Sequence, residues 1–273
     1  MHNFLIWLLA KREGPCEIAF LSFFHILYLS IILALTAVLV VYLKRHPEKR
    51  ATALRHLSLT LIALYISDIF LQPFVSSDFT MNIDKLPFHI CTLMCPVSAF
   101  AQFNPKFAKF KEPIALLSIA GSLMYLVYPG NAIGDISPFC YKILQTFIYH
   151  GVLFAWGVNT LVSEEFVPSI RNWYKSLIGL GMIAAWATIG NFAYNTSYLG
   201  TDGLHHYDWF FLTGSSFSFI LPPYIMPFAV IAAVLGTIMC IYGLYYLYMH
   251  VESKKNTRAE EKTEAEEKTE ATV

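Results

Sequence analysis

The sequence predicts an all-α, polytopic membrane protein with seven transmembrane helices, the N-terminus outside and the C-terminus inside. Three observations carry that expectation. Only 14% of the 273 residues are charged, against 56% hydrophobic, roughly half the charge share of a soluble domain. Twelve of the charged residues crowd into 252–273, which leaves uncharged runs of about 20 residues, the length a hydrocarbon slab asks of a helix. The basic residues are also lopsided. With seven spans and the N-terminus outside, 15 of the 19 Lys and Arg fall inside and only Lys11, Arg12, Lys85 and Lys142 fall outside. An even span count would break this positive-inside bias at the tail. A soluble α/β enzyme, a disordered regulator and a disulfide scaffold are excluded.

The elements follow in order. Residues 1–17 form an outer interfacial segment, because the apolar stretch 4–10, with Trp7, is short and runs into Lys11-Arg12 rather than a small-residue cleavage site. A transmembrane domain occupies 18–250. Its first helix, 18–43, has no acidic or basic residue between Glu17 and Lys44. The second is 54–75. The third and fourth, 86–103 and 113–128, are short and bounded by Pro87, Pro105, Pro113 and Pro129. The last three are 139–162, 173–194 and 224–250. The loop between the sixth and seventh carries His205-His206-Tyr207-Asp208-Trp209-Phe210-Phe211, an aromatic density that suits a membrane interface or a lid over a cavity. Its paired histidines with Asp208 are a weak metal signal. Residues 251–273 read as a charged, disordered cytoplasmic tail with a tandem EEKTEA repeat.

Ionisable and strongly polar side chains are costly inside a membrane, so each is a functional candidate. The candidates are His25, Asp68, His89, His150 and Asn191, with Cys91 and Thr92 beside His89 and Tyr194 beside Asn191. Counted at 1.5 Å per residue, all five lie about 5–16 Å below the outer surface. The inner half is expected to hold no intramembrane Asp, Glu, Lys or Arg. The layer suggests one polar cavity open to the outer leaflet, with Asp68 and the histidines as mutual partners. Plainer roles stand beside this: His25 and Asn191 can serve as hydrogen-bonding glue between helices, and Cys95, Cys140 and Cys240 as apolar packing. On a regular helix His89 and Thr92 share a face about 60° apart, whereas His89 and Cys91 are about 160° apart. The wheel therefore pairs His89 with Thr92.

The stretch Leu86-Pro87-Phe88-His89-Ile90-Cys91, a His within helix five, Gly190-Asn191 closing helix six and the aromatic loop beyond it form a pattern. It resembles the YwaF-type bacterial integral membrane proteins, which are similar to animal transmembrane protein 164 and more distantly to the androgen-induced membrane hydrolases. The resemblance implies a fatty acyltransferase working through an acyl-enzyme intermediate, or a lipid hydrolase pairing a Thr nucleophile with a His. His89 and His150 match the family's His positions. The relatives' nucleophilic Cys precedes the helix-three His, where this chain has Phe88, so Cys91 or Thr92 would have to serve.

The residue types suit acyl transfer. A His can activate Thr92 or Cys91, Asp68 can orient that His, and Asn191 or a backbone N–H can hold an oxyanion. His25, Asn191 and Tyr194 are the expected substrate-binding residues. No metal, cofactor or nucleic acid is expected. The partners are the bilayer and a membrane phospholipid or acyl lipid, in a bacterial plasma membrane, and the pattern says nothing of oligomeric state. The competing expectation is a non-catalytic module that binds a small solute or lipid, a transporter component or receptor. Against transport, the sequence has no internal repeat, and its polar layer is one-sided rather than near the midplane.

Overall fold

The computed structural model describes residues 19–75, 86–129, 137–163, 167–195, 208–212, 222 and 224–270. The outer segment 1–17, Lys85, and the His205-His206 pair lie outside the described residues. The described chain is all-helical. Its long helices are α1 (Phe23–Arg45), α2 (Arg50–Val75), α3 (Ile90–Phe103), α4 (Lys111–Val127), α5 (Tyr141–Leu161), α6 (Trp173–Asn195) and α7 (Met226–Glu270). Each expected apolar run has become one helix.

Five of them, α1, α2, α4, α6 and α7, are long and apolar enough to cross a membrane. The other two fall short for visible reasons. Helix α3 is only 14 residues long, because His89 is its extended N-cap at φ −83° and ψ 153° and the turn at Pro105 follows it. Helix α5 buries Gln145, His150 and Asn159 along its 21 residues, which lowers its hydropathy. At the far end α7 runs on as backbone helix through the charged repeat to Glu270. Glu, Lys and Ala are strong helix formers and need no buried face to continue a helix already begun.

Helix α4 is the axle of the bundle, with its first twelve residues buried. It packs against α3 and α5, and also against α6 and α7. The α4–α5 approach depends on Gly157: a Cβ there would meet Ile119 Cγ1 at 2.7 Å and the Ala115 carbonyl oxygen at 2.9 Å. Small residues at such a seam let helix backbones close, and packing then holds them where lipid offers no hydrophobic driving force. Helix α1 leans on α5, Ile32 covering Gly151. Much of its remaining surface, including Leu33, Leu35 and Val38, is exposed apolar side chain, as a lipid-facing helix requires.

Alternation of the helices gathers polar groups at two ends. At one end Lys44 donates to Glu252 at 2.6 Å, and Arg50 donates to the Ser163 carbonyl at 2.8 Å. The same end holds Glu112. Its Oε1 accepts from the Ser169 amide and the Tyr242 hydroxyl, each at 2.8 Å, and its Oε2 accepts from Asn172 Nδ2 at 2.7 Å. Glu112 and Tyr242 are both buried. Glu112 is thus a buried acid outside the set of expected site residues. Lys111-Glu112 reads in sequence as the edge of a charged loop; in the fold it opens the most buried helix. A carboxylate in a first helical turn is favoured by the helix dipole, and three donors then replace its water. The other end, which carries Asp68, holds the expected site residues.

Candidate functional site

The expected residues do converge on the Asp68 end, but in three separate groups rather than one cavity. His25, fully buried, forms the first. Its Nδ1 accepts from the Leu21 amide at 3.0 Å and its Nε2 donates to the Leu126 carbonyl at 2.8 Å. Both ring nitrogens are thus spent tying the start of α1 to the end of α4, the bonding role weighed beside substrate binding.

The second group is a clamp on residues 208–212. Asn191 grips both backbone groups of one residue: its Nδ2 donates to the Trp209 carbonyl at 3.0 Å, and its Oδ1 accepts from the Trp209 amide at 2.8 Å. His89 Nδ1 accepts the next amide, that of Phe210, at 3.2 Å. Phe88 fills the space between, against Trp186 at 5.1 Å and Trp209 at 4.8 Å between ring centroids, with Tyr194 meeting Trp209 at 5.4 Å. A side chain at Gly190 would run into the Phe88 ring at 2.5 Å, so only glycine fits there. Phe210 and Phe211 both take left-handed backbone, at φ 59° and 54°, a conformation that bulky residues resist and that the surroundings must impose. The Pro-Phe-His and Gly-Asn motifs therefore have a shared physical purpose: they seat an aromatic turn on the mouth of the bundle. Asn191→Ala is expected to raise amide exchange at Trp209 about tenfold or more, the scale of losing about 1–3 kcal/mol. Unchanged protection measured by hydrogen exchange would show that the aromatic packing alone seats the turn.

The third group holds the reactive chemistry. His150, buried, donates from Nδ1 to the Thr146 carbonyl at 2.8 Å. In the neutral imidazole this leaves Nε2 as the basic nitrogen. The Tyr125 ring stacks on it at 3.9 Å with planes 9° apart, and Tyr149 meets it edge-on at 5.3 Å. Cys91, a half-buried thiol outside any disulfide, stands in the first turn of α3. Tyr149 also donates to the Cys91 carbonyl at 2.9 Å. Asp68 lies 3.6 Å from Lys142 Nζ. The Thr146 carbonyl fixes the His150 ring, the orienting task that was expected of Asp68.

Thr92 goes elsewhere. Its hydroxyl donates back to the His89 and Leu86 carbonyls at 3.1 and 3.3 Å, as Ser and Thr do near helix starts. The wheel that paired it with His89 assumed a helix already running at residue 89, whereas His89 stands outside the helix as its cap. Two ring contributors, Tyr125 and Tyr149, were missed from the sequence. Their one signal was tyrosines at the depth of His150, which interfacial anchoring explains equally well. Among the described residues, no group of His, Cys, Asp and Glu is arranged to hold a metal ion.

A model of the TMEM164 family matches residues 20–248. The chain belongs to the TMEM164 family. No curated protein and no solved structure matches it. The match starts just ahead of α1 and stops within the last apolar turns of α7, so all three groups at the Asp68 end lie inside it. Together with the apolar helices it establishes a multi-pass membrane protein.

Proposed function

We propose that this TMEM164-family chain is a membrane-embedded lipid acyltransferase or lipid hydrolase in which His150 activates Cys91. The observation that carries the reading is a tautomer-fixed imidazole flanked by the rings of Tyr125 and Tyr149, with the Tyr149 hydroxyl donating to the Cys91 carbonyl at 2.9 Å. In the reaction, Nε2 of His150 takes the thiol proton as the sulfur attacks an acyl ester carbonyl. The ester bond breaks and the leaving glyceride oxygen recovers that proton. The thioester then passes its acyl group to a hydroxyl acceptor or to water, the same imidazole acting first as base and then as acid.

The chain is read as N-out and C-in in a bacterial plasma membrane, with seven spans and the His150 group opening toward the outer leaflet. The positive-inside rule supports this orientation: apart from Lys142, the Lys and Arg of the described residues lie at or beyond the Glu112 end. The test is incubation of the detergent-purified full chain with phospholipid bearing a labelled acyl chain. Acyl exchange or fatty-acid release is the expected result. Unchanged lipid, with a polar solute bound instead, would favour the non-catalytic reading.

A further inference from the structure

Lys142 is hard to explain as scaffolding. Among the described residues it is the only Lys or Arg at the Asp68 end of the bundle. It stands in the first turn of α5, where the helix dipole disfavours a cation. Its partner Asp68 is nearly buried and 3.6 Å away, too long for a tight hydrogen-bonded pair. Ion pairs taken out of water give weak net stabilisation, so stability alone does not account for placing one there. The ammonium also keeps a fifth of its side chain exposed.

Position along α5 supplies the second observation. Lys142, Thr146 and His150 follow at intervals of four, so they form one stripe on the helix. The stripe is welded by its own bonds: Thr146 Oγ1 donates to the Lys142 carbonyl and His150 Nδ1 to the Thr146 carbonyl, each at 2.8 Å. The backbones of Lys142 and His150 are thus about 12 Å apart along the axis, a separation that the flexible four-carbon lysine stem can adjust. A glycerophospholipid has the same layout: an anionic phosphate at the surface and, deeper by the glycerol backbone, the acyl esters.

We propose that Lys142 is the headgroup-recognition residue, exchanging Asp68 for the phosphate of a glycerophospholipid whose acyl ester then lies toward His150. Asp68 holds the ammonium in place until the lipid arrives. This rests on the acyl-transfer reading, and the tests separate the two.

The first test is kinetic, with labelled phosphatidylglycerol and labelled diacylglycerol of the same chains as substrates. Lys142→Ala is expected to raise KM for the phospholipid about 10–100-fold, the scale of one charge-assisted bond. Its kinetics on diacylglycerol stay unchanged, and Lys142→Arg retains the phospholipid KM. Equal losses on both lipids would overturn the proposal, since a collapsed ion pair acts without regard to headgroup.

The second test reads binding without turnover. Native mass spectrometry of the Cys91→Ala chain is expected to show phosphatidylglycerol retained over diacylglycerol. Adding Lys142→Gln with Asp68→Asn, which removes the pair without stranding a bare carboxylate, abolishes that preference. An unaltered preference overturns the proposal, as does displacement of the lipid by inorganic phosphate alone, which marks a free-anion site. Lys142-dependent binding in a chain that turns over no lipid would keep the headgroup site and discard the acyl transfer.

Discussion

His150→Ala is expected to lower acyl release from labelled phospholipid by about 10²–10⁴-fold, the range for loss of a positioned general base. The size follows from how completely the ring is committed. Its Nδ1 is held by the Thr146 carbonyl and its faces are fixed by Tyr125 and Tyr149, so no other imidazole can move into its place. His25 has both nitrogens bonded between α1 and α4, and His89 holds the Phe210 amide. Cys91→Ala is expected to match the His150 loss, and the double variant to fall no further, because nucleophile and base act as a unit. Thr92→Ala, which loses only a hydroxyl donating to the His89 and Leu86 carbonyls, keeps the wild-type rate. Loss of activity in the Thr92 variant with Cys91→Ala intact would reverse this assignment of the nucleophile.

The second large effect is on stability. Glu112→Ala is expected to destabilise the bundle by about 3 kcal/mol, read as a lower melting temperature of the detergent-purified chain, since each stranded buried donor costs about 1–3 kcal/mol. The carboxylate is the one acceptor that the Tyr242 hydroxyl, the Ser169 amide and the Asn172 amide share. Losing it unties α7 and the turn before α6 from the start of α4 at once. Glu112→Gln keeps one acceptor oxygen and is expected to cost less than half as much. A melting temperature unmoved by Glu112→Ala would mean that water takes over all three donors.

The helices were legible because lipid imposes one simple rule on them, and apolar length between charges reads that rule directly. The ends were less legible. Helix α3 begins at Ile90 rather than 86, since the Leu86–His89 stretch is occupied with seating the aromatic turn. The polar residues were legible one by one but not as partners. Depth was predictable from rise per residue, whereas the direction each side chain takes depends on cap geometry and on neighbours far away in sequence. His89 shows this: a single extended cap residue voids the wheel, and the Thr92 hydroxyl turns back onto the His89 and Leu86 carbonyls. Glu112 shows the converse. Its three donors come from 57, 60 and 130 residues away, and no local pattern announces them.

The uneven apolarity of the helices bears on how the protein is made. Helices α1 and α7, at mean hydropathy 2.7 and 2.1, can leave the insertion machinery and enter lipid alone. Helix α3 is too short for that and α5 too polar, whereas α4 is apolar enough but largely buried in the bundle. These three pack against one another, with Gly157 closing α5 onto α4 and Ile90 of α3 covering Gly121. The segment that bears His150, Cys91 and Lys142 is therefore expected to enter the membrane as a cohort, with α3 and α5 depending on their packing against α4.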